Sequence, residues 1–237
     1  MCGRYTAAKD FSELIKLVGV IMTRAPFLTP RYNIAPTQLA PVIYMERHQP
    51  AMKLMRWGLI PSWAKDASVG SANINARSET ITEKSSFRKP FQSQRCLIPA
   101  DGFYEWQSTQ NGKQPFRFTR KDGGFFCMAG LWDKWIRPPR SGELNLGDGN
   151  EPDASQVVET FTVITTTPNA MVARVHDRMP VILSPEHYGW WLEPKRFEPD
   201  FLKTLLRPYP AEEMDCHSVS KLVNSAKNDS PECLKPV

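Results

Sequence analysis

The sequence predicts an α+β domain whose sheet is mostly antiparallel or barrel-like, flanked by short helices. Three observations lead to this class. A helical pattern near the start is followed by many short strand-like stretches and then by two more helices, without the regular β-α-β alternation of a parallel sheet. Turn residues separate the strand-like stretches. The 21 prolines in 237 residues also favour many fixed turns and few long helices.

The first helix is predicted at the start of the chain. Apolar residues recur at helical spacing through 11–18. Asp10 is placed to cap the amino end, Glu13 follows three residues later, and Gly19 provides a stop. A single short helix is therefore expected before the strands begin.

The strand-like stretches are 40–45, 52–57, 116–120, 125–132 and 160–166. Each is a short apolar or alternating run bounded by turn residues, which is typical of strands in an antiparallel sheet.

The end of the chain predicts two further helices and one long loop. Ser184 followed by Pro185 is a typical helix start, and Pro199 indicates a second helix that also begins with a proline in its first turn. The segment 137–153 is rich in proline and glycine and has almost no apolar anchor. It is therefore predicted to be a flexible surface loop inside a single domain that spans residues 1–237.

Composition predicts a soluble, intracellular protein. The apolar runs are far shorter than the roughly 20 residues of a membrane helix, and the first residues lack the hydrophobic stretch of a secretory signal. We expect a monomer without membrane contact, in the cytoplasm with the nucleoid, or in the nucleus of a eukaryote. Five scattered cysteines without a C-x-x-C pair favour reduced thiols. No metal or cofactor is expected.

The net charge of +5 is modest, and solubility alone would account for it. Its distribution is more informative, because phosphate binding requires a local basic face. Cations are concentrated in the first half of the chain, interleaved with aromatic residues. The relevant side chains are Arg4, Arg31, Arg56, Lys65, Arg77, Lys84, Arg88, Lys89, Arg95, Trp57 and Trp63. Such aromatics are usually core residues, but a rim of Trp and Arg also suits stacking on unpaired bases.

Polar residues with period two occupy the stretch "NINARSE". Asn73, Asn75, Arg77 and Glu79 would share one face of a strand. That face could bind a ligand or could simply be solvated.

Two further stretches place titratable groups among apolar residues. In "CLIPADGFYEW", Asp101 and Glu105 lie among aromatic and aliphatic side chains. Burial would raise the pKa of Glu105 and suit it to acid–base catalysis, although pairing with an arginine is the structural alternative. His176 precedes an apolar stretch and could transfer protons or be structural.

Common catalytic signatures are absent from the sequence. There is no G-x-x-x-x-G-K, G-x-G-x-x-G, H-E-x-x-H or G-x-S-x-G, so the common nucleotide-binding, zinc-peptidase and serine-hydrolase classes are unsupported. Cys2 is the unusual feature. If Met1 is removed, Cys2 carries a free α-amine and a thiol on adjacent carbons, a pair that no internal cysteine offers.

Seven sequence blocks follow one another along nearly the whole chain. They are "MCGRY" at 1–5, "RYNIAPTQ" at 31–38, "RWGLIPSW" at 56–63, "NARSET" at 75–80, "CLIPADGFYEW" at 96–106, "MAGLW" at 128–132 and "HDRMPVIL" at 176–183. Together, and in this order, they resemble the SOS-response-associated peptidase (SRAP) family.

The resemblance implies a DNA-damage function. Members of the family act on abasic sites in single-stranded DNA and form a covalent DNA–protein crosslink through the N-terminal cysteine. That nucleophile matches Cys2, and the family's active-site asparagine, glutamate and histidine match Asn75, Glu105 and His176.

The resemblance also implies a DNA-binding surface. The family's DNA-contacting arginines match Arg4 and Arg77. Together with Trp57, Trp63 and Arg88 they form the predicted DNA-binding set, in which the tryptophans would support flanking bases.

The predicted product is a thiazolidine. The terminal amine adds to the aldehyde of the opened sugar, and the thiol then closes a five-membered ring on the imine. Two alternatives remain open on the residues alone. Cys2, Glu105 and His176 could form an N-terminal-nucleophile peptidase or amidohydrolase, or the chain could be a non-catalytic single-strand binder.

Overall fold

The computed structural model describes residues 2–23, 28–110, 112–138 and 156–237. In chain order its strands are β1 (Arg4–Ala7), β2 (Met22–Thr23), β3 (Arg31–Ile34), β4 (Leu39–Glu46), β5 (Gln49–Trp57), β6 (Asn75–Arg77), β7 (Arg95–Ala100), β8 (Gly102–Thr109), β9 (Gly112–Arg120), β10 (Phe126–Ile136), β11 (Val157–Thr166), β12 (Met179–Pro180), β13 (Ile182–Leu183) and β14 (Met214–Ser218). The α-helices are α1 (Ser12–Val18), α2 (Ser85–Ser93), α3 (Tyr188–Leu192) and α4 (Pro199–Thr204).

A closed ring of five strands forms the centre of the fold. Strand β11 pairs with β10, then the order continues through β7 and β4 to β5, and β5 pairs back onto β11. The β11–β5 contact is parallel, whereas the other four contacts of the ring are antiparallel. The predicted class, α+β with mostly antiparallel strands and a barrel-like core, is confirmed.

A second, five-stranded sheet carries the start of the chain. Its order is β14-β9-β8-β1-β3, and each pairing is antiparallel. Strand β1 pairs with β8, with Tyr5 opposite Phe103. If this register continues toward the chain start, it brings Gly3 opposite Glu105 and Cys2 opposite Trp106.

The two sheets share one hydrophobic core. Tyr5 of β1 contacts the edge of the Trp57 ring at a centroid distance of 5.2 Å, and Trp57 stacks on Phe161 of β11 at 6.1 Å. All three side chains are fully buried. Loss of one such aromatic side chain typically costs about 3–5 kcal/mol, so the first strand is firmly joined to the barrel.

The first predicted helix is confirmed, with a small shift at its start. Helix α1 ends at Gly19, which adopts a left-handed conformation with φ of 71° and donates its N–H to the carbonyl of Lys16. The Asp10 carboxylate accepts a hydrogen bond from the Ser12 N–H at 3.0 Å. Asp10 therefore bonds to the first turn, but it lies one residue before the N-cap position, which is Phe11.

The predicted strands are confirmed, and all five extend beyond their predicted ends in at least one direction. Strands 31–34, 95–100 and 102–109 lie outside the stretches in which the sequence predicts strands. The expectation that positions 73, 75, 77 and 79 share one strand face is wrong. Strand β6 covers only Asn75–Arg77, and 3-10 turns flank it on both sides.

The helices at the end of the chain are confirmed with their prolines in the first turn. The one at Pro185 begins as a 3-10 turn before continuing as α3. Most of the predicted 137–153 loop lies outside the described residues. Within the described ranges, no helix is both long and apolar enough to span a membrane.

Candidate active site

A cleft of about 520 Å³ opens beside the start of the chain, between the second sheet and the segments that cover it. Strands β1, β8 and β9 contribute side chains, as do the loop before β6, the loop after residue 174 and a segment near the carboxyl end. The lining residues are Arg4, Ile74, Glu105, Trp106, Lys113, His176 and Asn224.

Cys2 is buried next to this cleft. Burial raises the pKa of the Cys2 thiol well above its ordinary value, and the charge of nearby Glu105 raises it further. The thiol therefore stays protonated until a base takes its proton. Because the thiolate is the stronger nucleophile, a nucleophilic role for Cys2 would require such a base close to the sulfur.

Asn75 holds the Cys2 backbone in place. Its Nδ2 donates a hydrogen bond of 2.8 Å to the Cys2 carbonyl oxygen. Its Oδ1 is buried and accepts no hydrogen bond from any described residue. A buried carbonyl oxygen without a donor is uncommon in a folded protein, so this acceptor is available to a ligand.

Glu105 is the buried acid of the site. It lies on β8 with 2% of its surface exposed, and burial raises its pKa from 4.5 to about 7. The nearby Arg117 forms an ion pair with Asp101 at 3.1 Å. A carboxyl group with a pKa near neutrality can both donate and accept a proton at physiological pH.

His176 faces Glu105 across the cleft, with Nε2 at 3.8 Å from Oε2. Its Nδ1 accepts a hydrogen bond of 3.0 Å from the backbone N–H of Arg178. Burial lowers the pKa of His176, although the Asp177 carboxylate beside Nδ1 partly opposes this shift. In the neutral ring, an Nδ1 that accepts from the Arg178 N–H leaves the proton on Nε2, which lies 3.8 Å from Glu105.

A clamp that the sequence analysis missed fixes the histidine loop. Arg178 forms two hydrogen bonds to the Glu79 carboxylate, at 2.6 and 2.9 Å, and a third to the carbonyl of Thr165 at 2.7 Å. Paired arginine–carboxylate bonds are strong and directional. They attach the segment carrying His176 to the barrel, two residues from the imidazole.

Asp101 has a structural role that its neighbourhood alone did not reveal. Its carboxylate accepts hydrogen bonds from the hydroxyl of Thr6 and from the N–H groups of Ala8 and Lys9, and pairs with Arg117. These bonds hold the end of β1 against the start of β8. They thereby position the first residues of the chain relative to Glu105.

Arg4 connects the cleft to the carboxyl end of the chain. Its Nη1 donates to Asn33 Oδ1 at 2.9 Å and to the Val223 carbonyl at 2.5 Å, and its Nη2 donates to the Asn224 carbonyl at 3.2 Å. Asn33 in turn donates to carbonyls of the same terminal segment. Arg4 thus supports one wall of the cleft while its side chain lines it.

The family model described as "SOS response associated peptidase (SRAP)" matches residues 1–226. The chain belongs to the SRAP family. The SRAP relatives include Abasic site processing protein YoqW of Bacillus subtilis, 43% identical over 238 residues and 99% of each chain. Abasic site processing protein HMCES of Gallus gallus is 34% identical over 239 residues, which cover 88% of this chain and 66% of that protein.

Solved structures show the same fold. A crystal structure of a protein from Bacteroides thetaiotaomicron superposes with a TM-score of 0.83 at 25% identity and covers all of both chains. One from Bordetella bronchiseptica gives a TM-score of 0.71 at 26% identity, covering 92% of this chain and all of the other.

The predicted DNA-binding residues lie in different environments. Arg77 is exposed at the end of β6, two residues from Asn75. Trp57 is 0% exposed and donates its Nε1–H to the carbonyl of Ile74. The prediction that Trp57 stacks on a base is therefore wrong in this structure, because the ring has no accessible face.

Trp63 and Arg88 lie together at a second cleft of about 490 Å³, which Lys89 and Asp133 also line. The Trp63 side chain is 60% exposed. Neither residue lines the cleft at Glu105. Of the predicted DNA-binding residues, Arg4 lines the cleft at Glu105, and Trp63 and Arg88 line the second cleft. Among the described residues, no group of three His, Cys, Asp or Glu side chains could hold a metal ion.

Proposed function

We propose that this protein recognises abasic sites in single-stranded DNA and bonds them covalently through Cys2 after removal of Met1, forming a thiazolidine that shields the lesion. The names of its relatives support the target, since they are abasic site processing proteins. The observation that carries the chemistry is the arrangement around Cys2. An unpartnered Asn75 oxygen lies next to Cys2, and a carboxyl with a pKa of about 7 and an imidazole 3.8 Å from it line the adjoining cleft.

The terminal amine begins the reaction. An α-amine has a pKa of about 7.7–8.0, so roughly one third is neutral at pH 7.5, against about 0.1% of a lysine with a pKa of about 10.4. The amine of Cys2 adds to the aldehyde carbon of the opened sugar, and loss of water from that adduct gives an imine. The thiol then adds to the imine carbon, and its proton passes to the nitrogen.

Glu105 suits the proton transfers at nitrogen and sulfur. In its protonated form it supplies the proton that lets the hydroxyl of the amine adduct leave as water. The resulting carboxylate then accepts the thiol proton, which Cys2 releases with difficulty because burial raises its pKa. A group with a pKa of about 7 can perform both steps, because either form is well populated near neutrality.

His176 suits the opening of the sugar. An abasic sugar is mostly a closed ring, and opening it requires a proton on the ring oxygen. The imidazole lines the cleft with Nε2 3.8 Å from a Glu105 oxygen, so a sugar bound beside this pair would lie within reach of both groups. The free Oδ1 of Asn75 would accept a hydrogen bond from the Cys2 amine or from a sugar hydroxyl.

DNA binding would extend beyond this cleft. Arg4 and Arg77 would contact phosphates close to the reacting sugar. Trp63 offers an exposed ring for a flanking base, and Arg88 beside it offers a cation for the backbone. Aromatic stacking and phosphate contacts are the usual means of binding single strands.

A crosslinking experiment tests the proposal. The protein is incubated with a single-stranded oligonucleotide containing one abasic site and is then denatured and run on a gel. We expect a band that survives denaturation, whose mass is that of protein without Met1 plus DNA, less one water. Cys2→Ser should give at most an imine that borohydride traps, whereas Cys216→Ser, a change at a partly exposed cysteine outside the cleft, should behave as wild type.

The alternatives give different results. A peptidase or amidohydrolase would leave the DNA unmodified, and a passive binder would release it on denaturation. Absence of a denaturation-resistant band from protein that begins at Cys2 would refute the proposed function.

A further inference from the structure

Lys113 is a cation of the cleft that neither the fold nor the proposed chemistry explains. It lies one residue into β9, opposite Ser108 of β8, and its exposed side chain lines the cleft together with Glu105 and His176. Within the described ranges, its ammonium makes no hydrogen bond and no ion pair. A lysine whose ammonium makes neither kind of bond is available to an anionic ligand.

Lys113 differs in this respect from Arg4, the other cation that lines the cleft. The guanidinium of Arg4 already donates to Asn33 and to the carbonyls of Val223 and Asn224. Much of its hydrogen-bonding capacity is thus used to support the cleft wall, whereas all three donors of Lys113 face solvent or a ligand.

The charges around Lys113 favour a phosphate as that ligand. The Glu105 and Asp177 carboxyls lie close enough to interact, and both would repel the phosphates of an approaching strand. Lys113 interacts electrostatically with both Glu105 and His176, so its ammonium lies close to the reacting groups. A cation in this position offsets the repulsion where the strand must come nearest.

We propose that Lys113 binds a phosphate adjacent to the abasic sugar and so holds the sugar over Glu105 and His176. This inference rests on the proposed function and adds a specific DNA contact to it. Lys113 would act as a phosphate-binding residue, and no proton transfer is assigned to it.

Equilibrium binding of an undamaged single-stranded oligonucleotide at several salt concentrations tests the inference. The variants are Lys113→Gln, Lys113→Arg, which retains the charge, and Lys121→Gln. Lys121 follows the opposite end of the same strand, about 26 Å away at 3.3 Å per residue. It therefore controls for a change in total charge.

Loss of one phosphate contact should reduce the slope of log K against log salt by about 0.7. Between 50 and 200 mM salt, Lys113→Gln should then lose about 2.6-fold less affinity than the wild type. Lys113→Arg should keep the wild-type slope, and Lys121→Gln should keep it too. An unchanged slope for Lys113→Gln, or an equal change for both glutamine variants, overturns the inference.

Crosslinking of the abasic oligonucleotide by the same preparations separates this inference from the proposed function. If the wild type crosslinks and Lys113→Gln keeps its salt slope, only the Lys113 contact is refuted. If the wild type fails to crosslink while Lys113→Gln loses one contact, the covalent function is refuted and the phosphate site stands.

Discussion

Replacement of Glu105 by glutamine should make the protein more stable at alkaline pH while removing its acid–base chemistry. The carboxyl is 2% exposed, and burial raises its pKa from 4.5 to about 7. Glutamine has nearly the same size and keeps an oxygen acceptor, but it has no charge to bury. The variant therefore separates the energetic effect of the buried charge from the packing of the side chain.

The sign of the pH dependence follows from proton binding. A carboxyl with a higher pKa in the folded state binds more protons when folded than when unfolded, so stability falls as pH rises from about 4.5 to 7. The difference between these two pKa values corresponds to about 3 kcal/mol. The buried charge of Glu105 therefore lowers the free energy of unfolding by less than about 1 kcal/mol at pH 5. At pH 8 it lowers the free energy of unfolding by nearly the full amount.

The measurement is thermal unfolding of the wild type and Glu105→Gln at pH 5, 6, 7 and 8. The advantage of the variant should grow by about 2 to 3 kcal/mol across this range. For a chain of this size that corresponds to roughly 4–12 °C in Tm. Glu79→Gln is the matched control, because hydrogen bonding to Arg178 lowers the pKa of Glu79. The stability that the Glu79–Arg178 pair contributes is lost only below the ordinary pKa of a glutamate. The effect of Glu79→Gln on the free energy of unfolding should therefore be nearly constant from pH 5 to 8.

Parallel stability curves for the wild type and Glu105→Gln would refute the reasoning, because they would show that the carboxyl is not a buried charge above pH 7. Crosslinking is measured on the same samples. If Glu105→Gln is stabilised as expected but crosslinks and reverses at the wild-type rate, the residue is buried yet carries no proton in the reaction.

Three further predictions concern the groups around the two clefts. His176→Ala should slow crosslinking by about 10²–10⁴-fold, the usual contribution of one proton donor, without lowering Tm, and a folded variant that reacts at the wild-type rate would contradict this role. Trp63→Ala should weaken single-strand binding by about 1–3 kcal/mol at unchanged Tm. Trp57→Ala should instead lower the free energy of unfolding by about 3–5 kcal/mol. If Trp63→Ala lowered stability and Trp57→Ala only weakened binding, the roles assigned to the two rings would be wrong. Arg77→Ala should reduce the salt slope of binding by about 0.7, and a slope equal to the wild type would remove Arg77 from the phosphate contacts.

The sequence by itself determined the features that depend on local patterns. The α+β class followed from the order of the helical and strand-like stretches, and α1 followed from apolar spacing that ends in a glycine stop. The candidate chemistry also followed from residue types, because only an N-terminal cysteine combines an amine and a thiol on adjacent carbons. The resemblance to the SRAP family added Asn75, Glu105 and His176 as a set.

The tertiary structure decided which of two similar residues performs which task. Asp101 and Glu105 are four residues apart in one apolar stretch. The Asp101 carboxylate accepts hydrogen bonds from the two N–H groups that directly follow the first strand, whereas Glu105 faces His176. Trp57 and Trp63 belong to one motif, but one is buried against Phe161 and the other is 60% exposed.

These differences have one physical cause. The burial and pKa of a side chain are set by the groups packed against it, and those groups come from strands far away in the sequence. Strand β11, which closes the barrel, pairs with β5 and β6 across about a hundred residues. Local patterns specify strands and turns, whereas such distant contacts decide which side chains remain accessible to DNA.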